Sequence, residues 1–191
     1  MKFPSNLLVA GLALALGACS VQMNKPTTVE SATPLAQADL NNGDFYEVHH
    51  EGRIYLFDDY ATYQSFVEVD ETAFRQTFIG AGPKGETLVF GLTGSDKKKA
   101  ADQIASYNLY HGQLAPAADF YAELRAEGRI YVFDRYADLE QVRLTGEAPL
   151  RYTEIGTGPQ GETVVYVLRD DNKKQKPAAL QAAFKQRNGL M

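Results

Sequence analysis

The sequence predicts an α+β fold: two tandem ββαββα repeats with antiparallel sheets, their helices packed on one face. Three observations predict it. First, EGRIYLFD (51–58) recurs as EGRIYVFD (127–134), and IGAGPKGET (79–87) recurs as IGTGPQGET (155–163), both at an offset of 76 residues. Between 51–92 and 127–168, 21 of 42 positions are identical. Second, the segments around these motifs alternate or cluster β-branched and aromatic residues, as strands do. Third, apolar residues at helical spacing follow each motif.

Taken in order, residues 45–49 read as a strand, and 50–52 as a turn in which Gly52 supplies positive φ. Residues 53–57 form the next strand. Asp58 or Asp59 then caps a helix running to about Val67, because a carboxylate there accepts free amide hydrogens. Tyr60, Tyr63, Phe66 and Val67 share one face of that helix, and Tyr136, Leu139 and Val142 repeat it. A second hairpin follows, 74–79 and 86–92, joined by the loop 80–85. A last helix begins near Asp96 in the first copy and near Asp171 in the second. Its apolar stripe is Ile104 and Tyr107, then Leu180, Ala183 and Phe184. The first copy covers 44–112 and the second 113–191. Two small domains and one pseudo-symmetric domain both satisfy the pattern.

Composition excludes several classes of function. With 24 acidic and 19 basic side chains the net charge is −5, so a general nucleic-acid binder, which needs a basic patch, is not expected. One Cys among 191 residues excludes an intramolecular disulfide and a Cys-rich zinc site. The loops 80–85 and 156–161 match G-x-G-x-x-G, but a strand follows each of them rather than a helix. A nucleotide site is therefore not expected, and the glycines are explained as a hairpin loop. No nucleophile elbow, HExxH motif or Walker lysine occurs, so neither an enzyme nor a cofactor is expected.

The first twenty residues carry an address. Lys2 precedes an apolar run at 7–16, too short to span a bilayer and of the length found in secretory signal peptides. The run ends Leu16-Gly17-Ala18-Cys19, which resembles the lipobox of bacterial lipoproteins. The resemblance implies a signal peptide at 1–18 and lipidation of Cys19. It also implies a location in the cell envelope, at the outer membrane by virtue of Ser20, facing the periplasm or the cell surface. Residues 19–43 are rich in Ser, Thr, Asn, Gln and Pro and read as the lipidated end and a flexible tether, with a random-coil reach of roughly 25–30 Å.

Candidate binding residues come from the polar positions that the copies share. These are Glu51/Glu127, Arg53/Arg129, Tyr55/Tyr131, Asp58/Asp134, Tyr60/Tyr136, Arg75/Arg151, Thr77/Thr153, Glu86/Glu162 and Thr87/Thr163. Strand alternation puts Arg53, Tyr55 and Phe57 on one face, and Arg129, Tyr131 and Phe133 likewise. Each row is a candidate surface for a ligand or partner, since Arg and Tyr are favoured anchors. Pairing of Arg53 and Arg75 with Glu51 or Glu86, and burial of the row against the other copy, is the competing reading. His49 and His50, beside Glu47 and Glu51, are the only metal candidates, weakened because adjacent strand residues point to opposite faces. The strand and helix at 51–66 also resemble the G-x-x-Y-x-F core of YHS-type domains over about 20 residues per copy. Neither copy has the Cys with which those domains often hold metal. The expectation is a non-enzymatic envelope module that binds a protein partner or an envelope polymer. The alternative is a periplasmic metal- or small-ligand-binding protein.

Overall fold

The computed structural model of the chain describes residues 40–190. The expected signal peptide, Cys19 and the tether up to residue 39 lie outside the described residues. The elements are β1 (Asp44–His50), β2 (Arg53–Phe57), α1 (Tyr60–Val69), β3 (Phe74–Phe78), β4 (Thr87–Leu92) and α2 (Ala105–Tyr110). They continue as β5 (Tyr121–Ala126), β6 (Arg129–Phe133), α3 (Tyr136–Thr145), β7 (Arg151–Glu154), β8 (Thr163–Val167) and α4 (Ala178–Arg187). The fold is α+β.

The eight strands form one sheet in the order β3-β4-β2-β1-β5-β6-β8-β7. The sheet is mixed, which corrects the antiparallel expectation. The hairpins β1–β2, β3–β4, β5–β6 and β7–β8 are antiparallel, but β2–β4, β1–β5 and β6–β8 are parallel. The reason lies in β4. Every residue of it after Thr87 is buried, so it suits a position inside a sheet covered on both faces. In β3, Phe74, Arg75 and Thr77 are exposed, which suits the edge. Helix α1 carries the chain across, and the second hairpin then docks its apolar strand against β2.

The helices lie on both faces, which corrects the second expectation. Tyr63 and Phe66 of α1 pack on Tyr46, Tyr55 and Phe57. Ile104, which caps α2, and Ala105 and Leu109 within it pack on the opposite face, against Phe45, Ile54 and Leu56. In the second copy the faces are exchanged: α3 joins the cluster containing Ile54, and α4 joins the one containing Tyr55. A mirrored strand order with parallel β1 and β5 at its centre defines a pseudo-two-fold axis along the strands. Such an axis preserves strand direction and exchanges the faces of the sheet.

Local signals account for the turns. Glu51 and Gly52 have φ of 50° and 72°, and Glu127 and Gly128 have 51° and 71°, as a two-residue type I′ hairpin requires. Asp59 caps α1 by accepting the Thr62 N–H at 2.8 Å. Asp58 instead caps α2 from a distance, accepting the Ser106 N–H at 2.6 Å. No helix begins at Asp96 or Asp171; both lie in turns, and the lysines 97–99, 173 and 174 lie in those turns as well.

Parallel β2–β4, β1–β5 and β6–β8 place all four hairpin turns at one end of the sheet. The described chain enters at the other end. There Leu40 packs partly buried on the core, Asn41 donates to the Asp58 carbonyl at 2.5 Å, and Asn42 donates to the Ala115 carbonyl at 2.9 Å. Residues 40–43, expected to belong to the tether, are therefore part of the fold.

Candidate functional site

The two Arg-Tyr-Phe rows are not open surfaces. Phe57 and Phe133 are fully buried, and Tyr55 and Tyr131 are nearly so. Helix α1 covers the first row, with the Tyr55 and Phe66 ring centroids 4.3 Å apart and those of Phe57 and Phe66 5.4 Å apart. The sheet is apolar on both faces, so alternation alone leaves no face for solvent. Only Arg53 and Arg129, at the strand starts, are exposed.

Those arginines and the edges of the two tyrosines open into something larger. Beyond the C-terminal end of α1, the uncovered part of β2, β4 and β3 forms the floor of a cleft of about 710 Å³. A second cleft of about 400 Å³ lies at the end of α3, on β6, β8 and β7. Every residue lining the second is the 76-residue counterpart of one lining the first. Eight of these nine pairs are identical, and Thr72/Ala148 is the exception. Among the other 33 aligned positions only 13 are identical. The clefts have changed less between the copies than the scaffold that carries them.

The polar groups that the two clefts share are two arginines, a phenol, two threonines and one glutamate: Arg53, Arg75, Tyr55, Thr77, Thr87 and Glu71 in the first, which is lined also by His50, Glu51, Asp70 and Thr72. Local contacts position both guanidiniums. Arg53 Nη1 donates to the Tyr55 hydroxyl at 3.3 Å, and Arg129 to Tyr131 at 3.4 Å. Arg75 Nη1 donates to the Thr72 carbonyl at 3.4 Å, and Arg151 to the Ala148 carbonyl at 2.7 Å. These carbonyls follow the left-handed residues Asp70 and Gly146 that end the helices, with φ of 57° and 77°.

The chain has nine arginines. Arg125, Arg135, Arg143, Arg169 and Arg187 each form an ion pair with a carboxylate. Among the described residues, the four that form none are Arg53, Arg75, Arg129 and Arg151. The expected pairing of Arg53 and Arg75 with Glu51 or Glu86 does not occur. Glu86 turns back into its own loop to accept the Lys84 N–H at 2.7 Å. At the rim of each cleft stands an exposed isoleucine, Ile79 at 89% and Ile155 at 85%.

The histidines separate as strand alternation dictates. His49 lies on one face with its Nε2 2.7 Å from Glu47 Oε1. His50 lies on the other, 3.9 Å from Glu51 and 4.0 Å from Asp70. Among the described residues no group of three or more His, Cys, Asp or Glu side chains could hold a metal ion. The paired-histidine metal site therefore does not assemble. The glycine loops are hairpin loops: Gly82 N–H donates to the Glu86 carbonyl, and Gly158 N–H to the Glu162 carbonyl, both at 2.9 Å.

The pairs Arg75/Arg151, Thr77/Thr153 and Thr87/Thr163 stand out in sequence as shared polar positions, but nothing local joins them to Arg53 and Tyr55. The joining element is β4 seated between β2 and β3, a tertiary fact. No family model, curated protein or solved structure matches the chain.

Proposed function

We propose that this chain is a non-enzymatic binding module of the bacterial cell envelope, held there by lipid on Cys19. It presents two equivalent clefts, one per tandem ββαββα repeat, to a protein partner or an envelope polymer. The observation that carries the reading is the duplicated cleft with its four unpaired arginines. A scaffold arginine gains from a carboxylate partner, and the other five have one. Leaving four without, at matched positions, leaves the N–H donors that each does not give to Tyr55, Thr72, Tyr131 or Ala148 for something outside the chain. The lipobox-like 16–19 segment supports the anchor, and the outer membrane is the location it implies. Among the described residues no helix is long and apolar enough to cross a membrane. Residue 40 enters the fold at the end opposite the hairpin turns, and so opposite the clefts.

A photo-crosslinking residue at Glu71 or Glu147, in the full chain in its native envelope, tests the reading. The expected result is the same crosslinked product from both positions and none from Glu140 on the exposed side of α3. Products that differ between the two clefts, or none from either, would overturn it. Fractionation of a Cys19→Ser variant tests the anchor, and retention in the membrane fraction would refute lipidation.

A further inference from the structure

We infer that each cleft is an oxyanion site. It takes a carboxylate, sulfate or phosphate group carried beside an apolar group, so that the chain holds two such groups at once. The inference rests on the binding-module reading and names what the module binds. Its support is the donor set. Each cleft offers two guanidiniums, a phenol hydroxyl and two threonine hydroxyls. A guanidinium presents a planar fork of N–H donors that matches an oxyanion. Glu71 and Glu147, the one acid common to both clefts, pair with neither arginine, so the shared set carries net positive charge. The first cleft adds Glu51 and Asp70, each within 4.0 Å of His50, so its two guanidiniums stand among three carboxylates and it should be the weaker of the two anion sites.

The second part of the ligand is read from the rim. Ile79 and Ile155 are among the most exposed large apolar side chains of the described residues. Both copies keep Ile at this position, beside the anion donors. An apolar group attached to the oxyanion would cover it and exclude water from the charge pair, which strengthens that pair.

The axis along the strands turns the two clefts to opposite faces of the sheet, both at its hairpin end. β4 and β8 are five strand positions apart, or about 24 Å at ~4.8 Å per strand. No single small ligand touches both, so the sites are independent. A long flexible polyanion can reach both, and then gains from the second contact as an intramolecular event.

The test is an NMR titration of the full chain in detergent micelles, reading the arginine Nε–H signals. The probes are inorganic phosphate, acetate, benzoate and long-chain polyphosphate. Saturable shifts are expected at Arg53, Arg75, Arg129 and Arg151 with two phosphates per chain, and none at the five ion-paired arginines. Arg53→Gln/Arg75→Gln should abolish one site, leave the other, and keep the melting temperature. Benzoate should bind several-fold tighter than acetate, and Ile79→Ser should remove that advantage in the first cleft alone. Uniform unsaturable shifts, or unchanged stoichiometry in the double variant, would overturn the proposal. A gain of tenfold or more for polyphosphate over phosphate, lost with either cleft, supports the site and assigns its ligand to a polymer. Equal affinity per group supports it and assigns a free anion. Anion binding without any envelope crosslink from Glu71 or Glu147 would refute the envelope reading while leaving the oxyanion site standing.

Discussion

Arg143→Met should be among the most damaging single changes in the chain. Arg143 lies on α3 in the second repeat and is nearly buried. Its Nη2 is 2.7 Å and its Nε 2.8 Å from Glu47 Oε2 in the first repeat, and Glu47 is fully buried in β1. Tyr110 flanks the guanidinium at 4.5 Å from its ring centroid. Removing one partner of a buried ion pair leaves the other charge uncompensated, which costs about 3–5 kcal/mol. For a folded unit of this size that is a fall in melting temperature of about 6–20 °C, at 2–4 °C per kcal/mol. Urea and thermal melts followed by tyrosine fluorescence and circular dichroism measure it. Glu47→Gln/Arg143→Met should recover a large part of the loss, because no bare charge remains. A loss below about 1 kcal/mol in the single variant, or strictly additive losses in the double, would refute the reasoning. The pH dependence provides a second check. Burial alone pushes the Glu47 carboxyl up, but the Arg143 charge and the His49 hydrogen bond outweigh it and hold the carboxyl below its usual value. The unfolded chain therefore takes up this proton first as pH falls. The stability that Glu47 contributes is present above the ordinary carboxylate range and is lost below it. Without Arg143 the burial effect prevails, the folded carboxyl rises, and the variant should instead lose stability as pH increases through that raised value.

Other perturbations follow from single contacts. Gly91→Ala in β4 would place a Cβ 2.2 Å from the Phe57 ring and should cost about 1–3 kcal/mol by overpacking, read in the same melts. At Tyr63→Phe, Glu123 loses a buried hydroxyl donor at 2.7 Å and Arg125 loses an acceptor at 2.6 Å. A loss of about 1–3 kcal/mol is expected, and a neutral result would show that water replaces the hydroxyl. Asp59→Ala removes the α1 cap and should cost about 1 kcal/mol, whereas Arg135→Ala at the matched position of α3, which has no side-chain cap, should show no capping loss.

The hairpins were readable in sequence because their causes are local. Glu51-Gly52 and the loop at 80–85 each need backbone conformations that glycine supplies, and the strands beside them alternate or cluster as strands do. The sheet order was not readable, because it depends on which strand is buried on both faces. The burial of Leu88 and Phe90 on one side and Val89 on the other appears only once α1 and α2 are placed. For the same reason the Arg-Tyr-Phe row was half misleading. Its members do share a face, but α1 covers Phe57 and most of Tyr55, and what stays open is the cleft that Arg53, Arg75 and Thr87 line. His49 and His50 behaved as period-two alternation requires, since β1 pairs with β2 through both positions without a bulge.

The parallel pairing of β1 with β5 decides more than cohesion. An axis perpendicular to the sheet would pair those strands antiparallel and send one cleft to the end where the chain enters. The axis along the strands keeps both clefts at the hairpin end, opposite the end at which residue 40 enters the sheet. No turn enforces this pairing, because β1 and β5 are 70 residues apart in sequence and the contact is wholly tertiary. Its register, Tyr46 opposite Glu123 and Glu47 opposite Leu124, lets each central carboxylate find donors in the other repeat. Glu47 finds Arg143, while Glu123 accepts from Tyr63 at 2.7 Å, and Arg187 reaches back to Asp44 at 2.5 Å. Slipping the pair by one residue would turn Glu47 and Glu123 to the opposite faces and away from these partners. The buried charges therefore act as register marks between the two repeats, while the parallel direction of the pairing keeps both arginine clefts at the hairpin end, on opposite faces of the sheet.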